Sequence, residues 1–179
     1  MATYNADPAH SHIDFSVRHL MISKVRGAFE SFSAQIDVPE GSKLPAAVKV
    51  EIDANSIDTR VADRDSHLRS ADFFDVANYP KLTFVSTKIS GSESGFTIDG
   101  DLTIHGTTRP ATLKAEFEGG GKDPWGNERL AYSATTKISR KEFGLVWNQA
   151  LETGGVAVGD EIDISVQVEA VKAQQAATV

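Results

Sequence analysis

Residues 66–84 read SHLRSADFFDVANYPKLTF, and they are the one place where the rhythm of this chain breaks. On either side apolar and polar residues alternate, the period-two pattern of half-buried β-strands. Inside the stretch, Leu68, Ala71, Phe73 and Phe74 cluster at helical spacing. Asp65 and Arg69 stand four apart, as an acid–base pair on a helix surface does, and Ser70 is placed to cap a second short turn. Pro80 stops any helix and pushes Tyr79 toward extended backbone, which launches a strand over 81–89. A short helical segment with two adjacent phenylalanines, set in a β-rich chain, is expected to plug the open end of a sheet or barrel.

Three strands are expected before the plug. Over 10–21, Ile13, Phe15, Val17, His19 and Met21 share one face while His12, Asp14, Ser16 and Arg18 share the other. Over 24–38, Val25, Gly27 and Phe29 give way to the opposite phase at Phe32, Ala34, Ile36 and Val38. That slip, at Glu30-Ser31, predicts a bulge of the kind that bends a strand into a closing barrel. After a turn at 39–42, Val48, Val50, Ile52 and Ala54 mark the third strand. Five more are expected after the plug, over 81–89, 96–104, 111–117, 130–138 and 162–170. The first of these is the least one-sided; the last alternates strictly through Ile162, Ile164, Val166, Val168 and Ala170. Gly119-Gly120-Gly121 with Pro124-Trp125-Gly126 reads as a flexible hairpin connection, and the small, polar tail from 173 as frayed.

Eight long alternating strands joined mostly by tight turns predict an all-β fold: an eight-stranded antiparallel barrel, one domain over 1–179, with a short helical insertion between strands 3 and 4. Seven inward positions are small (Gly27, Ala34, Ala54, Gly100, Ala115, Ala134, Ala170), which favours a barrel with a cavity over a packed sandwich.

The 179 residues are enough to bury a core without external support, and the absence of cysteine rules out disulfides and thiolate metal sites. A net charge of −7 argues against nucleic acid and against electrostatic docking on anionic lipid. No apolar run approaches ~18 residues, so no membrane-spanning segment is expected. The start, MATYNADPAHSH, lacks the basic and apolar regions of a signal peptide, and a cytoplasmic protein is the expectation.

His10, His12 and Asp14 fall at strand spacing suited to zinc or copper, but a solvated strand face explains them better, so no metal or other cofactor is expected. His19, on the apolar face, reads as a hydrogen-bonded core histidine before a catalytic one, and His67 and His105 read as surface residues. The five aspartates around the plug (58, 63, 65, 72 and 75) alternate with Arg60, Arg64 and Arg69, as on a solvated helix. No nucleophile elbow, P-loop, dinucleotide fingerprint or zinc-protease motif is present. Phe143, Leu145, Val146 and Trp147 are either loop packing or a second apolar lid.

Five ordered segments closely resemble the YceI-like family of lipocalin-like, polyisoprenoid-binding proteins. They are Asp7-Pro8-Ala9-His10-Ser11 with Phe15-Ser16-Val17-Arg18-His19-Leu20; Val25-Arg26-Gly27-Ala28-Phe29; His67-Leu68-Arg69-Ser70-Ala71-Asp72-Phe73-Phe74-Asp75 with Tyr79-Pro80; Gly100-Asp101-Leu102-Thr103 with Gly106-Thr107-Thr108-Arg109-Pro110; and Ser139-Arg140-Lys141-Glu142-Phe143-Gly144-Leu145. The resemblance spans roughly residues 4–172. It implies a non-enzymatic carrier whose interior holds a polyisoprenoid or other long apolar molecule. It does not support a His10–His12 metal pair, and many relatives are exported whereas this start shows no signal. The expected lining is Phe15, Val17, Phe29, Phe32, Ile36, Val50, Ile52, Phe73, Phe74, Phe84, Leu102, Phe143 and Trp147, with His19 or Arg140 near the mouth for a head group. An enzyme acting on bound lipid, needing His19 and a carboxylate inside, is the alternative; a stress-response interaction module with a solid core is another. A homodimer is compatible with each reading.

Overall fold

The alternating stretches close on themselves. In the computed structural model, which describes residues 1–174, the strands are β1 (Ala2–Ala6), β2 (His12–His19), β3 (Ser23–Phe29), β4 (Phe32–Val38), β5 (Ala47–Asp53), β6 (Ile57–Asp58), β7 (Lys81–Ser92), β8 (Gly95–Ile104), β9 (Thr107–Lys122), β10 (Glu128–Ser139) and β11 (Val158–Lys172). The helix α1 (Ala62–Arg69) lies between β6 and β7. Strands β1, β4, β5, β7, β8, β9, β10 and β11 pair in that order, and β11 returns to β1, so eight antiparallel strands form a closed barrel. The remaining three extend the sheet from β11 in the order β2, β3, β6. They prolong the wall at one end: β2 follows β1 after one 3-10 turn at Pro8–His10, and β3 runs on into β4.

The phase slip at Glu30-Ser31 falls between β3 and β4, where the chain changes partners from β6 to β5. The freed backbone groups are used: Glu30 N–H donates to Ser56 O at 3.1 Å and Asp53 N–H to Ser31 O at 3.0 Å. A bulge explains why the fourth expected strand looked two-sided. The β7–β8 register shifts between Ser86 and Lys88, so Leu82 and Phe84 face the core before the shift and Ile89 packs on it afterwards.

Several expectations are corrected. β1 was not anticipated, because ATYNA offers only one large inward residue, Tyr4. The first expected strand stops at His19: Leu20 and Met21 take left-handed backbone at φ 52° and 64° in a tight turn. Gly119, Gly120 and Gly121 belong to β9, paired to Ala131, Leu130 and Arg129, and the connection is 123–127. The tail is tied down as far as Ala173, whose N–H donates to Thr3 O at 2.7 Å; the rest of the stretch expected to fray, from 175 on, lies outside the described residues.

The plug begins earlier than expected, and its charges do different work. Asp65 and Arg69 do not pair. Asp65 is buried and accepts from Thr59 N–H at 2.9 Å and from Thr59 Oγ1 at 2.5 Å, while Arg69 donates to Asn55 O at 3.0 Å and Ile57 O at 2.9 Å. Asp65 thus satisfies the backbone just after β6 and Arg69 the carbonyls just before it and at its first residue, which anchors α1 to the barrel wall. Ser70 does cap the next turn, its Oγ accepting from Asp72 N–H at 3.3 Å. Tyr79 then lies against the His105 ring, 4.7 Å between centroids, in contact with Gly106. His105 and Gly106 both have positive φ, the geometry of a two-residue β8–β9 hairpin turn, and a Cβ on Gly106 would meet the Tyr79 ring at 2.5 Å.

A charge network fastens the seam where the barrel closes. The Arg129 guanidinium on β10 reaches Asp7 at 2.9 Å, Asp123 at 2.9 Å and Glu169 on β11 at 2.8 Å. His10 has left the strand with the 3-10 turn and lies 2.9 Å from Asp7, so it does not converge with His12 and Asp14. The hydrogen bonds from Arg129, and next from His10, hold the Asp7 carboxyl down to about 2 from its ordinary 3.8. A depressed acid contributes stability above its unfolded value that is lost as pH falls through the folded one. Stability should therefore decline between pH about 4 and about 2, and Arg129→Gln should make that acid limb shallower in urea titrations. An unchanged limb would remove the seam from the account.

Candidate functional site: the barrel interior

Two core clusters fill parts of the barrel interior. One gathers Tyr4, Ile36, Val38, Phe84, Phe96, Leu130 and Tyr132; the other gathers Ile13, Phe29, Ala54, Ile57, Leu82, Ile104, Phe143 and Leu145 beneath the plug. Between them lies a cavity that offers about 220 Å³ to water-molecule centres, or about 1640 Å³ counted out to the atom surfaces and through its opening. The surface turned toward it is apolar throughout. Each of the eight ring strands except β1 contributes to the wall, and so do β2, β3, β6 and the plug.

Twelve of the fifteen residues expected at the site line this cavity: Phe15, Val17, Phe29, Phe32, Ile36, Val50, Ile52, Phe73, Phe74, Phe84, Leu102 and Arg140. Three do not. His19 is half-buried beyond the last lining pair of the β2–β11 ladder. Phe143 sits in the solid cluster under the plug at 2 % exposure. Trp147 packs outside the plug, 5.4 Å from the Phe73 ring and 4.7 Å from that of His67. His67 is at the surface as expected, its side chain 39 % exposed, yet its ring also lies edge-on to Phe73 and Trp147, with Nε2 2.9 Å from Asp72. From inside, Phe29 joins the plug to the wall, 5.9 Å edge-to-face from Phe74 and 5.7 Å from Phe15. Such ring pairs each add about 0.5–1.5 kcal/mol beyond area burial.

Arg140 lines the cavity with its stem only. Its guanidinium is committed to four carbonyls: Gly159 at 2.8 Å, Leu145 at 2.6 Å, Trp147 at 2.9 Å and Val158 at 3.3 Å. Burial lowers its pKa and the nearby Asp160 carboxylate opposes that. It clamps the 145–147 segment to β11, and neither it nor His19 is free inside the cavity for a head group.

The small residues divide by role. Ala34, Ala115 and Ala134 do line the cavity. Gly27 and Gly100 instead make room for rings: a Cβ there would meet Phe15 Cζ or Phe84 Cζ at 2.4 Å. Ala54 and Ala170 are packed solid at 0 % exposure. Lining residues not anticipated include Leu68, Ile98, Leu113 and Tyr132. Tyr132 carries a signal in hindsight: its phenol is pushed up by burial, and its hydroxyl donates out of the cavity to Lys43 O at 2.7 Å.

The YceI-like domain family matches residues 4–170. The chain belongs to the YceI-like family. A UPF0312 protein of Staphylococcus epidermidis is 38 % identical over 170 residues, spanning 94 % of this chain and 97 % of the relative. The YceI protein of Campylobacter jejuni, known from its crystal structure, is 32 % identical with a TM-score of 0.76, covering 88 % of this chain and 90 % of that one. A Saccharophagus degradans domain described as polyisoprenoid binding superposes with a TM-score of 0.68 over 97 % of this chain and 99 % of its own; at 14 % identity that likeness bears on the fold alone. What the chain shares with these relatives is the YceI-like domain and its lipocalin-like barrel.

Proposed function

We propose that this YceI-like barrel binds and carries a long isoprenoid or similar amphiphilic lipid in its interior. The observation that carries the reading is the uniformly apolar cavity, enclosed by the barrel strands and closed from one side by the plug. Water inside such a space has no hydrogen-bond partners, whereas an apolar chain gains roughly 25 cal/mol for each Å² withdrawn from water. Because the interior presents no free polar group, the lipid's polar end stays at the opening in water. A Saccharophagus degradans domain of the same fold is described as polyisoprenoid binding.

Ala134 offers a direct test. It pairs with Ala115 on β9 and Val166 on β11, and all three line the cavity. Ala134→Phe should place a ring in the space meant for ligand. The parent protein should bind a fluorescent prenyl analogue, and the variant should bind it at least about tenfold more weakly, the equivalent of ~1.4 kcal/mol. Failure of the parent protein to take up any prenyl analogue would overturn the proposal.

A further inference from the structure

The β2–β3 hairpin ends in three large apolar residues held in water. Leu20, Met21 and Ile22 are 39 %, 54 % and 80 % exposed. Ile22 N–H donates to His19 O at 3.2 Å, closing a turn whose two central residues, Leu20 and Met21, both have positive φ. That turn type favours Asn-Gly, and unbranched or branched apolar side chains occupy it at an energetic cost. The chain accepts the cost and keeps the apolar tip exposed. The neighbouring loop continues the patch: Leu20 N–H donates to Ala157 O at 2.8 Å, Met21 lies against Gly155, and Val156 and Val146 are exposed.

The charges around the tip differ from those of the whole molecule. Residues 15–29 contain Arg18, Lys24 and Arg26 and no acid, in a chain of net charge −7. All three cations are exposed; Lys24 lies 3.7 Å from Asp163, and Arg18 (against Gly159, next to Asp160 in sequence) and Arg26 have no carboxylate within 4 Å among the described residues. The tip also adjoins the cavity. Val17 and Val158 line it, and Val158 pairs with His19 next to the turn.

We infer that this hairpin tip inserts into the surface of an anionic lipid bilayer, with Leu20, Met21 and Ile22 among the acyl chains and Arg18, Lys24 and Arg26 at the phosphates. An apolar tip with cations on both strands behind it is the chemistry of interfacial attachment, and attachment here brings the cavity end to the lipid. A second copy of the chain fits less well. The tip is a three-residue projection, far below the ~800 Å² per partner of a stable interface, and two such tips would bring like charges together.

Co-sedimentation with vesicles tests this. The full chain should pellet with vesicles of equal parts phosphatidylglycerol and phosphatidylcholine, more weakly at high salt, and not with phosphatidylcholine alone. The double change Met21→Ser with Ile22→Ser should reduce attachment at least about tenfold without lowering the melting temperature, since the residues are exposed. Arg18→Gln with Lys24→Gln should reduce it and flatten the salt dependence. Attachment is read apart from lipid uptake, so the Ala134→Phe protein should still pellet, and failure here leaves the cavity reading standing. The inference falls if the parent stays in the supernatant, if the tip variant pellets like the parent, or if sedimentation velocity shows a dimer that the tip variant dissolves.

Discussion

Arg140→Met is expected to destabilise the barrel by about 3–5 kcal/mol, a large part of the 5–15 kcal/mol that holds a typical domain folded. The methionine fills much of the volume but leaves the carbonyls of Leu145, Trp147 and Gly159 without this donor, while Val158 O keeps Asn148 Nδ2 at 2.7 Å. Each buried acceptor so stranded costs roughly 1–3 kcal/mol, partly offset because a charge no longer has to be held away from water. In a chain of this size the melting temperature should fall by roughly 10 °C. Arg140→Lys should recover only part of the loss, because a single ammonium cannot reach carbonyls that a planar guanidinium spans. If Arg140→Met instead leaves stability within about 1 kcal/mol and abolishes lipid uptake, the residue is a head-group contact and the clamp is wrong.

Phe143→Ala is expected to cost about 3–5 kcal/mol as well, for a different reason. Phe143 is packed among Ile13, Ile57, Leu82, Ile104 and Leu145 at 2 % exposure, and the 3-10 turn Arg140–Phe143 that carries it ends in Gly144 with φ 80°. Truncation opens a void that rigid strands cannot close. Because Phe143 does not touch the cavity, dissociation of a prenyl analogue should be unchanged. Phe74→Ala should behave in the opposite way. Phe74 is half-buried, faces the cavity and touches Phe29, so its loss should cost less stability and speed release. Denaturant midpoints without ligand, set beside dissociation rates with it, separate the two. Faster release in Phe143→Ala with unaltered stability would make that segment a lid.

The barrel was legible in outline because eight alternating strands need one shared interior, and small inward residues favoured a barrel over a sandwich. The phase change at Glu30-Ser31 was legible too, but it marks the break between β3 and β4 and a change of partner strand, not a bulge within one strand. β1 was not, because a five-residue strand with one large inward side chain carries too little pattern. The plug was recognised from its aromatic pair, but its charges misled. Spacing of four suggests an Asp65–Arg69 pair, and only tertiary context reveals that the backbone around β6 offers both better partners. Arg140 shows the same limit, since a cation at a strand end looks the same whether it meets a ligand or four carbonyls. Gly27 and Gly100 suggested empty space and turned out to be sockets for phenylalanine rings. Period-two patterning tells which way a residue points, not what fills the space in front of it.

Native mass spectrometry of protein purified without detergent tests the central claim most directly. The account expects a mass increment of one apolar molecule per chain, recoverable by organic extraction as a prenyl or related lipid and reduced in Ala134→Phe. Repeated preparations at the bare polypeptide mass, with no uptake of added prenyl lipids, would contradict it.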